Sequence, residues 1–332
     1  MKKLLKILVV LVALAILGIA GSAAYVKFAL PSTGPAPDMK VELTPERIAR
    51  GEYLANSVTV CIDCHSKRDW SRFSGPPTEG TIGMGGDVFD KNMGFPGTYY
   101  APNITPEGIG RYTDGELFRA ITTGVNKEGE ALFPVMPYHY YGQMDQEDIK
   151  SIIAYLRTLK PIKNEVPRSV SDFPMNFIIN TIPHKAEFTR LPPVTDTVAY
   201  GKYLTNAAGC VECHTPADKG MLVAGMEFGG GREFRFPEGY SIRSSNITAD
   251  KSTGIGNWNS DMFVNTFRTR SDPTIHASTH DSSKPNTIMP WTMYGKMTDA
   301  DLRAIFAYLR TVKPIKNTVQ PFPLPPAAST QK

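Results

Sequence analysis

The sequence predicts a mostly α-helical protein, built as two tandem copies of one small domain with long loops and preceded by a single transmembrane helix. Three observations predict it: an uncharged N-terminal run, an internal repeat of about 150 residues, and one Cys-x-x-Cys-His motif in each copy. At 332 residues, with 41% hydrophobic and 10% aromatic residues, the chain suits two ordinary domains plus appendages, each able to bury a core.

Residues 7–26 carry no charge, behind Lys2, Lys3 and Lys6 and ahead of Lys27. A helix of that length spans about 30 Å, the thickness of a bilayer's hydrocarbon core. It exceeds the usual apolar region of a signal peptide. Residues 1–30 therefore read as an uncleaved anchor rather than a leader, although Gly18-Ile19-Ala20 and Ser22-Ala23-Ala24 would pass as cleavage sites. The leading lysines favour an N-in orientation, which puts the rest of the chain outside the cytoplasm. The formal charge of +4 comes from the same four lysines; without them 32 basic residues balance 32 acidic ones. Charge therefore gives no argument for nucleic acid as a partner.

The repeat aligns in order. Gly51-Glu-Tyr53-Leu54 answers Gly201-Lys-Tyr203-Leu204, Asn103-Ile-Thr105 answers Asn246-Ile-Thr248, and Gly108-Ile-Gly110 answers Gly254-Ile-Gly256. Met136-Pro137-Tyr138 answers Met289-Pro290-Trp291, and Tyr155-Leu-Arg-Thr158 answers Tyr308-Leu-Arg-Thr311. Helix signals recur with it. Thr44-Pro45 opens a helix in the first half and Thr195 or Asp196 in the second. Thr113-Asp-Gly-Glu116 has capping-box spacing, with its counterpart from Asn259 to Phe267. The last helix of each half carries an apolar face, Ile149, Ile152, Ile153, Leu156 and Leu159 against Leu302, Ile305, Phe306, Leu309 and Val312, behind caps at Asp145 and Thr298. The expected boundaries are a first domain at 40–165, a linker at 166–194, a second domain at 195–318 and a proline-rich tail at 319–332. An apolar run in the linker, Phe173 to Ile182, is expected to pack between the domains.

All four cysteines belong to the two motifs, Cys61-Ile-Asp-Cys64-His65 and Cys210-Val-Glu-Cys213-His214. This is the attachment signal for c-type haem: two thiols form thioethers and the adjacent histidine becomes the proximal iron ligand. Two covalently bound haem c groups are expected, and each supplies the core that a loop-rich domain lacks. Zinc competes, but the pairs lie far apart in separate copies and each offers only two cysteines and one histidine. A thioredoxin-like pair would need a βαβ context that the pattern does not show. Met136 and Met289, 71 and 75 residues after their histidines, are the candidate axial ligands. A thioether opposite histidine raises the potential of an electron-carrying haem. Met144 and Met297 are the rival pair, but they precede helix caps, where an apolar staple is usual. Met84 and Met226 read as packing. His139, His184, His276 and His280 read as spectators, the last two in a loop from Ser271 to Ile288 with no counterpart in the first half. Asn103, Asn246, Tyr112 and Trp258 suit either haem propionates or ordinary capping and core roles.

From about residue 40 to 320 both halves resemble class I cytochrome c domains, in which an N-terminal helix with Gly-x-aromatic (Gly51/Tyr53, Gly201/Tyr203) crosses a C-terminal helix with aromatic-Leu (Tyr155-Leu156, Tyr308-Leu309). The stretches Asn103 to Gly110 and Asn246 to Trp258 further resemble the cytochrome c subunits of bacterial membrane-bound alcohol and gluconate dehydrogenases. The resemblance implies an electron-transfer protein, not an enzyme, taking electrons from a donor such as a periplasmic dehydrogenase and delivering them to a respiratory acceptor. The alternative is a dihaem enzyme of peroxidase or thiosulfate dehydrogenase type. The first needs a displaceable iron ligand and the second a cysteine ligand, whereas both halves offer Met-Pro and no cysteine is left over.

Overall fold

The computed structural model describes residues 1–236, 239–277, 279–281 and 284–320; the expected tail lies outside the described residues from 321 onward. Helix α1 (Lys2–Phe28) is long and apolar enough to cross a membrane, and none of it is buried. Behind it, the two halves share an order of main helices, each half adding one short helix that the other lacks. In the first, α2 (Pro45–Tyr53) passes through a π-turn (Leu54–Val58) into α3 (Cys61–Cys64), followed by α4 (Pro106–Ile109), α5 (Asp114–Thr123), α6 (Tyr138–Tyr141) and α7 (Gln146–Thr158). After α8 (Met175–Ile178), the second half runs α9 (Thr197–Ala207), α10 (Cys210–Cys213), α11 (Ser260–Arg270), α12 (Pro273–Ala277), α13 (Trp291–Tyr294) and α14 (Asp299–Leu309).

Behind α1, each long helix starts where a side chain can satisfy its free N–H groups. Thr44 accepts from Arg47 N, with Pro45 at the first position of α2. Thr113 and Glu116 form a reciprocal capping box on α5. Asp145, Asp196, Asn259 and Thr298 cap α7, α9, α11 and α14.

Within each half the first and last helices cross at a glycine. A Cβ on Gly51 would overlap the Ser151 carbonyl of α7, and one on Gly201 the Ala304 carbonyl of α14. The crossings are therefore close enough for backbone to touch backbone. Around them Leu54, Ile149, Ile152, Ile153, Leu204, Leu302 and Leu309 are buried in one apolar cluster that runs through both halves.

The tyrosines of the Gly-x-Tyr segments do something the sequence did not show. Tyr203 Oη donates to Asp148 Oδ2 of α7 (2.7 Å) and accepts from Asp145 N (3.0 Å). Reciprocally, Tyr53 Oη donates to Asp301 of α14 and accepts from Thr298 N (3.1 Å). Each half thus inserts a hydroxyl at the N-terminus of the other half's last helix. Arg50 adds two 2.8 Å bonds to Asp148, and Tyr200 one of 3.1 Å to Asp301.

The linker run departs from expectation. Phe173 to Ile182 does not pack between the halves: α8 and the turn after it lie against α1, and Phe173 is 81% exposed. Pairing of Val170 and Ser171 with Thr98 and Gly97 fixes that course, because it anchors the start of the run to the first half.

Candidate haem-binding sites

In each half a residue in the left-handed region opens the motif helix, Val60 (φ +47°) before α3 and Gly209 (φ +61°) before α10. The four thiols are unpaired. Burial pushes Cys210 up to about 12 and Cys213 to about 11, and raises Cys61 and Cys64 as well, so all four are held as neutral thiols. Among the described residues no three His, Cys, Asp or Glu side chains gather into one group.

Both motif histidines are held in one tautomer. His65 Nδ1 lies 2.7 Å from the Pro102 carbonyl oxygen and His214 Nδ1 lies 2.7 Å from that of Ser245. A carbonyl can only accept, so Nδ1 carries the proton and Nε2 presents a lone pair. Burial holds both imidazoles below the usual histidine value, which keeps them neutral. Glycines bring the accepting strand close: Gly85 N donates to His65 O (2.8 Å) and Gly230 N to His214 O (2.7 Å). Both sit at positive φ, and a Cβ would run into backbone at Pro102 or Asn246.

Asn103 and Asn246 take the capping role. Asn103 Oδ1 accepts from Thr105 N and Oγ1 while Nδ2 donates to Ile162 O (2.8 Å). Asn246 does the same with Thr248 and Ile315 O (2.7 Å). Each asparagine staples the histidine's acceptor strand to the chain after the last helix.

Met136 and Met289 are half-buried against the core, whereas Met144 and Met297 are wholly inside it at 0% and 2% exposure. The rival pair thus does the packing. The methionine segments are tied to the cysteine turns by residues that sequence reasoning missed. Tyr141 Oη donates to Thr59 O (2.8 Å) and Tyr294 Oη to Ala208 O (2.6 Å), each acceptor two residues before the first cysteine. Their signal was present, since both tyrosines stand five residues after the methionine in the repeat. Tyr138 Oη, beside Met136, is buried with no hydrogen-bond partner, as expected of a group facing space that another molecule fills. The residues therefore fit haem c: thiols for the thioethers, a neutral imidazole with a free Nε2, and a thioether-bearing segment tied to the same turn.

The motif acids are paired. Asp63 meets Arg68 (3.1 Å), both nearly buried, and Glu212 meets Arg232 (2.5 Å). Glu212 Oε2 also accepts from Tyr140 Oη (3.0 Å), so the first half's methionine segment touches the second half's motif.

Comparison with known proteins agrees with this geometry. Residues 198–313 match the cytochrome c family model. The chain is 31% identical to the fructose dehydrogenase cytochrome subunit of Gluconobacter japonicus, over 80% of this chain and 52% of that one. It is 28% identical to the cytochrome c subunit of the quinone alcohol dehydrogenase of Gluconacetobacter polyoxogenes, over 81% and 56%. A diheme cytochrome c-type protein of Cereibacter sphaeroides is 27% identical over 77% of this chain and 83% of its own. The chain spans about half the length of the dehydrogenase subunits it matches. It is a relative of dehydrogenase cytochrome c subunits, with a cytochrome c domain at residues 198–313 that implies covalently bound haem c.

Proposed function

We propose that this chain is a membrane-anchored dihaem cytochrome c that carries electrons outside the cytoplasm from a dehydrogenase to a respiratory acceptor and performs no bond chemistry of its own. Its two domains are residues 40–165 and 195–318. Cys61, Cys64, His65 and Met136 hold one haem; Cys210, Cys213, His214 and Met289 hold the other. Haem c supplies reversible one-electron chemistry at its iron. The protein's part is to fix the ligands, exclude water and hold the two sites at a set separation through the tyrosine exchange. The observation that carries the reading is the pairing, in both halves, of a Nδ1-committed histidine with two neutral cysteines and a tyrosine-tied methionine segment. The names of the relatives support a dehydrogenase as donor, and α1 supports attachment to a membrane.

The test is spectroscopic. The purified chain should contain two haem c per polypeptide, and the oxidised form should show the weak far-red band of His/Met ligation. Met136→His and Met289→His should each remove about half of that band. A single haem, or a band that survives both changes, would refute the assignment, and rapid turnover of peroxide would favour the enzymatic alternative.

A further inference from the structure

The loop Arg68–Gly75 of the first half reaches across to the Met289 segment of the second. Ser74 is wholly buried; its Oγ donates to Met289 O (2.6 Å) and accepts from Trp291 N (3.2 Å). Its N–H donates to Asn286 Oδ1 (2.8 Å), which also accepts from Thr287 N (2.8 Å). Asn286 Nδ2 donates in turn to Trp70 O (3.2 Å) and Arg72 O (2.9 Å). Ser74 thus holds the backbone at Met289 O and Trp291 N, and the Asn286 side chain ties the segment before Met289 to the same loop. Two ties brace the contact: the His276 ring lies 2.8 Å from the carbonyl oxygens of both Phe73 and Arg270, and His280 N donates to Ser71 O (2.7 Å).

The loop is itself fixed to the first site. Arg68 donates through Nε to Gly75 O and through Nη2 to Ser74 O, 2.8 Å each. Its Nη1 pairs with Asp63, which lies between Cys61 and Cys64, and its guanidinium stacks 4.1 Å over Trp70. A short rigid path therefore joins the first cysteine turn to the second methionine. The first half's methionine is held differently: the bonds between its segment and the second half involve Tyr140, which donates to Glu212 and accepts from Asn206 Nδ2, and among the described residues none reaches residues 133–138 around Met136.

We infer that Arg68–Gly75 is a strap by which the first half positions the Met289 ligand, so that methionine ligation at the second site depends on Ser74 and Asn286 and ligation at the first does not. The inference rests on the axial role proposed for Met289. Ser74 and Asn286 are positioning residues: they act through the Met289 backbone, and removing one such hydrogen bond lowers the ligation constant roughly fivefold.

The experiment uses the full chain with Ser74→Ala, Ser74→Gly and Asn286→Ala. It follows the far-red band of the oxidised protein through an alkaline titration, with Met136→His or Met289→His as background to separate the two sites. Ser74 sits at φ +65°, a conformation glycine adopts freely, so Ser74→Gly removes the Oγ without adding backbone strain. Expected is a fall of about 0.7 pH unit in the midpoint of the second site's band, the equivalent of a fivefold weaker ligation. The first site's midpoint should stay unchanged. Equal shifts at both sites would mean a general loosening and overturn the strap, and so would no shift in any of the three variants. If Met289→His leaves the second site's share of the band in place, the axial assignment itself fails, an outcome distinct from any result at Ser74.

Discussion

Replacing Gly201 by alanine tests the helix crossing directly. A Cβ there would overlap the carbonyl oxygen and carbon of Ala304 and lie 3.0 Å from Ile305 N. All three obstacles are backbone inside α14, so no side-chain rotation relieves them. Restoring ordinary contact requires the helices to part by about 1.5 Å, a gap that forfeits half or more of the dispersion contacts across it. Leu204, Leu302, Ile305 and Leu309, buried at the crossing, would lose packing together. Overpacking of this kind costs about 1–3 kcal/mol. The lost contacts add a similar amount, offset by about 1 kcal/mol of helix propensity gained, for a net loss of about 3 kcal/mol. Gly209→Ala is the control, since its Cβ meets nothing and only its φ of +61° is penalised, by about 1 kcal/mol. Guanidinium unfolding followed by far-UV circular dichroism reads both. A Gly201→Ala protein no less stable than Gly209→Ala would refute the close crossing.

Tyr203→Phe removes the bonds to Asp148 and Asp145 N and should cost about 2 kcal/mol in urea unfolding; a loss below 0.5 kcal/mol would show the exchange to be incidental. Burial, with Asp63 nearby and despite Arg68, pushes the Asp87 carboxyl from 3.8 up to about 6. A raised carboxyl pKa means the fold favours the protonated form. That contribution is complete below pH 3.8 and is lost as pH rises through about 6. Asp87→Asn should therefore stabilise the protein by about 1–2 kcal/mol at neutral pH and by nothing in acid, read as the difference between thermal midpoints at the two pH values. Deleting α1 behind a cleavable leader should move the protein from the membrane fraction to the soluble fraction; persistence in washed membranes would place the attachment elsewhere.

Much of the site was legible because its chemistry lives in side chains at fixed spacing. The cysteines, the histidines and the helix caps read directly, and it was the caps just after Met144 and Met297, not the repeat, that marked that pair as packing. Partners that are backbone atoms left no mark: nothing in Pro102 or Ser245 as residue types announces a carbonyl aimed at an imidazole. The tyrosines were visible but their direction was not, because Gly-x-Tyr fits a crossing within one half as well as a reach into the other. The run from Phe173 to Ile182 misled for a related reason. Apolarity states that a segment is covered and not by what, and two short strand pairings at Val170 and Ser171 settled its course. The strap's partners Asn286 and His276 were hidden in the loop from Ser271 to Ile288, where the lack of a counterpart removed the internal comparison.

The tyrosine exchange gives the chain the geometry of an isologous contact, in which one patch meets its own copy and each residue is used twice. Here both patches lie on one polypeptide, so the chain between α7 and α9 acts as a tether that keeps their effective concentration high. A contact of that kind constrains divergence. A change at Tyr53 or Asp148 must suit its partner across the pseudo-dyad, while the peripheral loops are free to differ. The two sites can therefore acquire unlike environments only through elements outside the shared surface, and the Ser74 loop is one such element.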